Sequence, residues 1–302
     1  MTHTKDLPTL EQDDDLAEPL RRVAYEAGML LGLEATRDEQ AYHRRRLNRH
    51  QYWMHGFGTV AGLHVRLHPD SHANDTDPVT TRIHVSPGIA VDRLGREVMV
   101  HETYCINLRE WLDAQTEAYL AEGFALADNL LWLNVTVRHR DCDVARQPVL
   151  ANKLNLSTDP VQPSRTADGV HLELVPELPG TDTRYAPWGS HIPVADSDPT
   201  LTDEEQAYLD EVELNSDSAA QRLRLHSRLL RALDSNGLAT NNLSDELEKS
   251  ARLLLARISI SISTTDLTNI IVNPERIGVN NLIRPFLATA SQMAWLHDQP
   301  TP

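Results

Sequence analysis

Residues 25–63 read YEAGMLLGLEATRDEQAYHRRRLNRHQYWMHGFGTVAGL, and this stretch decides how the predicted fold begins. Thr36 is a favourable N-cap, and Glu39 follows it at the three-residue spacing of a capping box. We therefore predict a helix from Arg37 to about Trp53. Glycine tolerates positive φ and lets backbones approach closely. Three glycines therefore predict the end of the helix and the start of a strand, and they are Gly56, Gly58 and Gly62.

The predicted helix carries a basic and aromatic face, because residues three and four positions apart lie on the same side of a helix. One interpretation is that this face docks on an acidic partner protein. The other is that its arginines pair with acidic groups of the same chain, such as Glu39 or Asp92, while their stems cover apolar surface. The candidate protein-interface residues are Tyr42, Arg46, Arg49 and Trp53.

A second stretch, residues 85–100, reads VSPGIAVDRLGREVMV and predicts short strands separated by turns. Pro87 and Gly88 suit the central positions of a type II turn, in which glycine supplies the positive φ. A second turn is expected from Asp92 to Gly95. The polar residues of this turn are Asp92, Arg96 and Glu97. They have two interpretations: they form a small polar site, or they hold a tight hairpin together.

The rest of the chain alternates strand and helix patterns. Residues 130–137 (LLWLNVTV) have the continuous apolar character of a buried strand, and residues 253–262 (LLLARISISI) alternate as a strand with an expected hairpin partner at 267–272. Irregular, proline-containing segments are expected at 144–169 and 177–201. The other predicted strands are at 63–67, 83–85, 104–108 and 170–175. The other predicted helices are at 109–123, at 202–234 with an interruption at 215–218, a short one from Ser244, and at 280–297. Thr202 and Glu205 predict a second capping box at the start of the helix at 202–234.

The run RHRDCD is the best metal candidate by residue type, with ligand-forming side chains at His139, Asp141, Cys142 and Asp143. Zinc requires about four ligands at a defined geometry, and the sequence offers no second His or Cys pair at matching spacing. We therefore interpret the run as a polar strand end, and we predict no metal, no cofactor and no catalytic residue. The motifs of serine hydrolases, zinc peptidases and nucleotide-binding loops do not occur.

Acidic residues exceed basic ones, 44 to 28, which gives a net charge of -16. A nucleic-acid-binding protein needs a basic face, so this balance argues against one and favours solubility. The 2 cysteines, Cys105 and Cys142, are expected to be unpaired thiols, although a single bridge stays open. Residues 1–20 lack the apolar core of a signal peptide, and no stretch has the ~20 apolar residues of a membrane span, so we expect cytoplasmic synthesis.

Together the two quoted stretches resemble an uncharacterised protein family associated with gene clusters for phage-tail-like contractile injection particles. The resemblance covers residues 25–140 best, and LARISISIS near the C-terminus is similar to a late strand of the family. It implies a structural or assembly component rather than an enzyme. Family members often have a cysteine-rich insertion after the strand at 130–137, of which this chain keeps only Cys142. The positions that carry the resemblance are Tyr25, Gly28, Glu39, Gln40, Tyr42, Asn48, Arg49, Gly56, Gly58, Gly62, Leu63, Pro87, Gly88, Ala90, Asp92, Gly95, Arg96 and Glu97.

We predict an α+β protein in which an N-terminal helix is fixed to a compact antiparallel β unit, sandwich-like or barrel-like, with helical insertions and a C-terminal hairpin plus helix. The expected divisions are a mobile acidic arm at 1–20, a helix-plus-β domain at 21–176, a linker at 177–201, and a helical and hairpin region at 202–302 packed on the first domain. The function that we favour is a non-enzymatic particle component, of baseplate or cap type, that binds other particle subunits. Its oligomeric state stays open. The alternative is a hydrolase or carbohydrate-binding module with a polar site at 92–97 and 139–143.

Overall fold

The structure is a computed structural model, and it describes residues 22–68, 81–92, 94–148, 161–180, 200–215, 217–236, 251–262, 267, 270 and 274–298. Several predicted segments lie wholly or largely outside these residues. They are the acidic arm at 1–20, the linker at 177–201, the short helix from Ser244 and the strand at 267–272.

The chain divides into two compact units. The first contains residues up to His55 and Ser190–Leu247, and the second contains Gly56–Gly189 and Glu248–Pro302. The helices in chain order are α1 (Leu33–His55), α2 (Leu108–Asp113), α3 (Glu117–Ala121), α4 (Asp203–Asn215), α5 (Asp217–Asn236) and α6 (Ala290–Asp298). The strands are β1 (Gly58–Gly62), β2 (Val65–Leu67), β3 (Arg82–Val85), β4 (Gly88–Val91), β5 (Glu97–Val100), β6 (Tyr104–Asn107), β7 (Phe124–Ala125), β8 (Leu130–Pro148), β9 (Val161–Pro176), β10 (Leu253–Ser261) and β11 (Ile277–Asn280).

In the first unit, helix α1 begins earlier than the sequence predicts. It starts at Leu33, so Thr36 lies inside its first turn, where the hydroxyl donates to the Gly32 carbonyl oxygen at 3.2 Å. Glu39 accepts a hydrogen bond from the Val23 backbone N–H at 3.1 Å. The predicted capping box is therefore wrong, because both of its side chains bind other backbone groups.

A second predicted capping box, at the start of α4, is confirmed. The Thr202 N–H donates to Glu205 Oε2 at 2.8 Å, and the Glu205 N–H donates to Thr202 Oγ1 at 3.3 Å. Each side chain thus satisfies a backbone donor that has no partner within the helix. The predicted interruption near 215–218 is also present, since α4 ends at Asn215 and α5 begins at Asp217.

The second unit contains all the described strands, which form antiparallel sheets. Two sheets are small, with strand orders β1-β4-β5 and β2-β3-β6, and a larger one has the order β11-β10-β8-β7 with β9 also paired to β8. The predicted α+β class is confirmed, with open sheets rather than a closed barrel. The expected hairpin plus helix at the C-terminus is present as β10, β11 and α6. The predicted hairpin partner at 267–272 is wrong, because β10 pairs with β11 on one edge and with β8 on the other.

The predicted turn at Pro87 and Gly88 is a crossing between sheets, not a hairpin. Strand β3 pairs with β2 and β6, whereas β4 pairs with β1 and β5. Gly88 does not have the positive φ of a type II turn, which corrects the prediction. Glycine is required there for space, because a Cβ atom would lie 2.4 Å from the Ala61 oxygen and the Leu63 nitrogen.

Strands β8 and β9 form a much longer hairpin than the sequence indicates. The predicted strand at 130–137 continues to Pro148, and β9 begins at Val161. Both ends of the segment 144–169, which the sequence predicts as irregular, therefore belong to strands. Beyond Val137, β8 no longer pairs with β10 and continues as a two-stranded ribbon with β9. Most ribbon side chains are solvent-exposed, so the apolar alternation that identifies a half-buried strand is missing there.

Two predicted helices are shorter or broken in the structure. The helix expected at 109–123 is α2 followed by α3, because Asn107 and Thr116 each accept backbone N–H groups as N-caps of separate helices. The helix expected at 280–297 is reduced to α6. The chain before α6 turns at Leu282 and Ile283, and it then joins β1 because Pro285 accepts the Thr59 N–H at 2.9 Å.

The core of the second unit lies between its sheets. Alternate residues of β3 and β5 are buried, as expected for a strand with one inward face. Fully or almost fully buried core residues are Leu63, Val65, Ile83, Val85, Val98, Val100, Leu131, Leu133, Val135, Val137, Leu253, Ile258 and Ile260.

Among the described residues, no helix has the length and apolar character needed to cross a membrane.

Candidate functional site

The structure describes two of the four predicted interface residues of α1, Tyr42 and Arg46, and Arg46 is exposed. Tyr42 is half-buried, and its hydroxyl accepts a hydrogen bond from Arg46 Nη1 at 2.9 Å. Asn48 is buried. The side chains of Arg49 and Trp53 lie outside the described residues. The structure therefore brings Tyr42 and Arg46 together on one face of α1, as their four-residue spacing predicts.

A neighbouring side of α1 carries exposed apolar side chains, which were not among the predicted interface residues. Leu33, Leu47 and Met54 are 67%, 59% and 69% exposed. Because they are separated by multiples of seven residues, they lie along one side of the helix, and we call them the outer apolar stripe. The stripe is interrupted at Gln40, which is why the pattern is weak in the sequence. The segment before the helix adds further exposed apolar residues: Tyr25, Met29, Leu30 and Leu31.

The Asp92 hairpin is a structural element rather than a reactive one. The Asp92 carboxylate is fully buried, and its Oδ1 accepts the N–H groups of Leu94 and Arg96, each at 2.9 Å. Its Oδ2 accepts Arg96 Nε at 2.8 Å. Gly95 supplies the positive φ of 76° that closes the turn. These contacts agree with the second interpretation of the sequence, the pinning of a tight hairpin.

A cluster of ligand-forming side chains lies on one face of the β8–β9 ribbon. His139 Nε2 is 2.8 Å from Asp141 Oδ1, and Asp168 lies directly opposite Asp141 on β9. Cys142 points to the other face, with Sγ 4.0 Å from the Arg140 oxygen. Asp168 could not be found from the sequence, since the pairing of β8 with β9 was not predicted. We call His139, Asp141 and Asp168 the ribbon cluster.

The two other residues of the predicted RHRDCD group have different surroundings. Asp143 accepts a hydrogen bond from Thr166 Oγ1 at 3.4 Å. Cys142 and Cys105 are both free and exposed. The four residues that the sequence places together therefore do not converge on one point, and two of them join Asp168 instead.

A second polar cluster surrounds Glu173 on β9. Glu173 Oε2 accepts Arg252 Nε at 2.9 Å and lies 3.8 Å from Arg138 Nε. Arg138 also donates to His171 Nδ1 at 3.3 Å. Burial lowers the pKa of His171, and the neighbouring arginines lower it further against the opposing effect of Glu173. The neutral imidazole is thus favoured, which fits its role as an acceptor of the Arg138 N–H.

An open cavity of about 310 Å³ lies beside β1 in the second unit. Its walls include Thr59, Phe286 and Trp295. Arg284, which also lines it, donates to the backbone oxygens of Gly62 and Leu63 at 3.1 and 2.8 Å. Arg284 is the titratable residue among the described lining residues, so the cavity offers no acid–base pair for catalysis.

Comparisons with known proteins give distant results. No protein-family model and no curated protein matches the chain. Among solved structures, the baseplate complex from the type VI secretion system matches at 12% identity and a TM-score of 0.24, covering 78% of this chain and 83% of that one. The TssK-TssF-TssG baseplate subcomplex of a type VI secretion system matches at 14% identity and a TM-score of 0.23, covering 78% and 82%. These weak neighbours are baseplate assemblies, but such TM-scores are too low to support a functional argument.

Proposed function

We propose that the protein is a non-enzymatic structural or assembly component of a phage-tail-like contractile injection particle, and that it binds other particle proteins through α1. The observation that carries this proposal is the outer apolar stripe together with the exposed apolar residues that precede the helix. Several large exposed apolar side chains along one side of a helix and the segment before it are typical of a protein–protein interface.

The apolar side chains give the stripe an energetic reason to be covered. Full burial of a leucine or methionine side chain contributes about 1.5–3 kcal/mol. Leu33, Leu47 and Met54 obtain little of this stabilisation within the described structure, because each is more than half exposed. A partner helix packed along the stripe would recover it.

The charges beside the stripe indicate the chemistry of that partner. Arg37 and Arg44 lie on its flank, in a chain whose net charge is -16. Such a helix favours an acidic, amphipathic partner and disfavours a second basic surface. The partner that we propose is therefore an acidic helix of another particle subunit. The family resemblance of residues 25–140 supports the same assignment.

The alternative function, a hydrolase or carbohydrate-binding module, needs available polar groups at 92–97 and 139–143. The segments do meet, because His139 Nδ1 lies 3.2 Å from the Glu97 backbone oxygen. However, the Asp92 carboxylate is buried and fully engaged in the hairpin. We therefore favour assembly over catalysis.

The experiment is a rebinding assay with particles from cells that lack this gene. Purified full-length chain is added, and the amount that sediments with the particles is measured. We expect saturable association that Leu47→Glu weakens at least tenfold, since a charge replaces a side chain that becomes buried. Leu214→Glu is the matched control, because Leu214 is an exposed leucine on a different helix, α4. Equal sedimentation of both variants and the wild type would contradict the proposal.

A further inference from the structure

The ribbon cluster has the composition and spacing of a metal site. Its ligand atoms, one each from His139, Asp141 and Asp168, all lie within 4.8 Å of one another. Ligands of a tetrahedral ion with bonds of ~2.0–2.2 Å are ~3.3–3.6 Å apart. His139 and Asp141 lie closer together than this, at 2.8 Å, and no pair in the cluster is more than 4.8 Å apart, so small side-chain rotations would place the three atoms around one ion.

The two carboxylates of the cluster belong to residues that lie directly opposite each other on adjacent strands. Asp141 and Asp168 are direct cross-strand partners in the antiparallel β8–β9 pair. Like charges in this position destabilise a hairpin. A divalent cation between them would turn this repulsion into two favourable contacts.

His139 supplies an independent observation, because both of its ring nitrogens face acceptors. Nδ1 lies 3.2 Å from the Glu97 backbone oxygen, and Nε2 lies 2.8 Å from Asp141 Oδ1. A neutral imidazole has one N–H. If Nδ1 donates to the carbonyl, the Nε2 lone pair lies on the side of the Asp141 carboxylate, where one metal ion would bind to both groups in place of their hydrogen bond. Orientation of the imidazole by a backbone carbonyl is also the usual arrangement of metal-binding histidines.

We propose that His139, Asp141 and Asp168 bind a divalent transition-metal ion of the Zn²⁺ class. One imidazole and two carboxylates provide three protein ligands, which leaves a fourth position for water or a partner side chain. The ion would join β8 to β9 and, through the Glu97 contact, would fix the ribbon to β5. This site does not depend on the assembly function of α1.

Isothermal titration of the full-length chain with Zn²⁺ alone tests the site. We expect the wild type to show a site that Asp168→Asn and His139→Gln each weaken at least tenfold, since even changes to groups outside the ligand set cost about 10–100-fold in affinity. Asp143→Asn is the matched control, because Asp143 lies on the same ribbon face but pairs with Thr166. Its affinity should equal that of the wild type.

A spectroscopic readout separates this site from other histidines that take up zinc. Co²⁺ bound to the wild type should give a visible absorption band that Asp168→Asn removes and Asp143→Asn retains. No binding of Zn²⁺ by the wild type would overturn the proposal and leave His139 and Asp141 as a metal-free hydrogen-bonded pair in the ribbon. Equal affinities of the wild type and Asp168→Asn would overturn it as well, because the metal would then lie elsewhere.

Discussion

The Nε atom of Arg96 lies 2.8 Å from Oδ2 of Asp92, whose carboxylate is fully buried. The same carboxylate also accepts two backbone N–H groups of its own hairpin. An aspartate next to an arginine in a glycine-containing turn could be taken for part of an active site. Here the pair holds β4 and β5 in register, so we assign it a structural role.

Replacement of Asp92 by alanine should be strongly destabilising. It leaves the Arg96 guanidinium and the Leu94 N–H buried without their acceptor, and loss of one partner of a buried pair costs about 3–5 kcal/mol. Urea unfolding, with hydrogen exchange of the β4 and β5 amides, measures the effect. Asp113→Ala is the control, since the pair of Asp113 with Arg109 is exposed and should cost less than about 1 kcal/mol. Similar losses in both variants would contradict the assigned role.

Gly88→Ala should destabilise the crossing between the two small sheets by about 2–3 kcal/mol. The added Cβ would meet backbone atoms of Ala61 and Leu63 at 2.4 Å, and backbone cannot move aside as a flexible side chain can. Thermal unfolding provides the measurement. Gly180→Ala is a suitable control, because a Cβ at Gly180 meets nothing within 4 Å. If the two variants unfold at the same temperature, the close approach at Gly88 is not a constraint.

His171 should make the second unit less stable in acid. Burial lowers its pKa below the ordinary value of 6.5, so the unfolded chain binds the proton more readily than the folded one. The neutral His171 side chain therefore makes its full contribution to the free energy of unfolding above pH ~6.5. That contribution is lost as the pH falls towards the lower pKa of the folded state. His84, whose pKa burial and nearby basic groups also lower, adds to the same trend.

The variant His171→Gln tests this prediction. A glutamine oxygen can still accept the Arg138 N–H but does not titrate. The free energy of unfolding, measured between pH 8 and pH 5, should decline less steeply for the variant than for the wild type. Identical slopes would show that His171 has the same proton affinity in both states.

The sequence predicted those elements whose local pattern matched their environment. The buried strand at 130–137 and the alternating strand at 253–262 were found because their apolar pattern reflects real burial. The Asp92 hairpin was found because Gly95 provides the required positive φ. The Thr202 and Glu205 capping box was found because it involves only neighbouring residues.

The other elements depend on contacts that local pattern cannot reveal. The exposed ribbon of β8 and β9 has no apolar alternation, so its pairing, and with it the proximity of Asp141 and Asp168, was invisible. The segment before α6 is not helical, because Pro285 and Leu287 pair with Thr59, which is more than 200 residues earlier in the chain. The outer apolar stripe was overlooked because Gln40 interrupts it and because Leu33 was placed outside the helix.

Arg46 offers a second test of the α1 surface. If the basic face contributes to docking, Arg46→Glu should lower the association rate with acidic partner subunits, and added salt should reduce the difference from the wild type. Stopped-flow or surface-based kinetics would measure this. The alternative, in which Arg46 only supports Tyr42 within the chain, predicts a lower stability with an unchanged association rate.

The central claim, that the outer apolar stripe of α1 is a docking surface for other particle subunits, is tested most directly by the rebinding assay. Particles lacking this protein are mixed with wild type, a Leu47→Glu and Met54→Glu double variant, or the Leu214→Glu control, and the sedimenting chain is quantified. Circular dichroism first establishes that all three are folded. We predict that the double variant alone fails to sediment. Sedimentation of the double variant at the wild-type level would contradict the account.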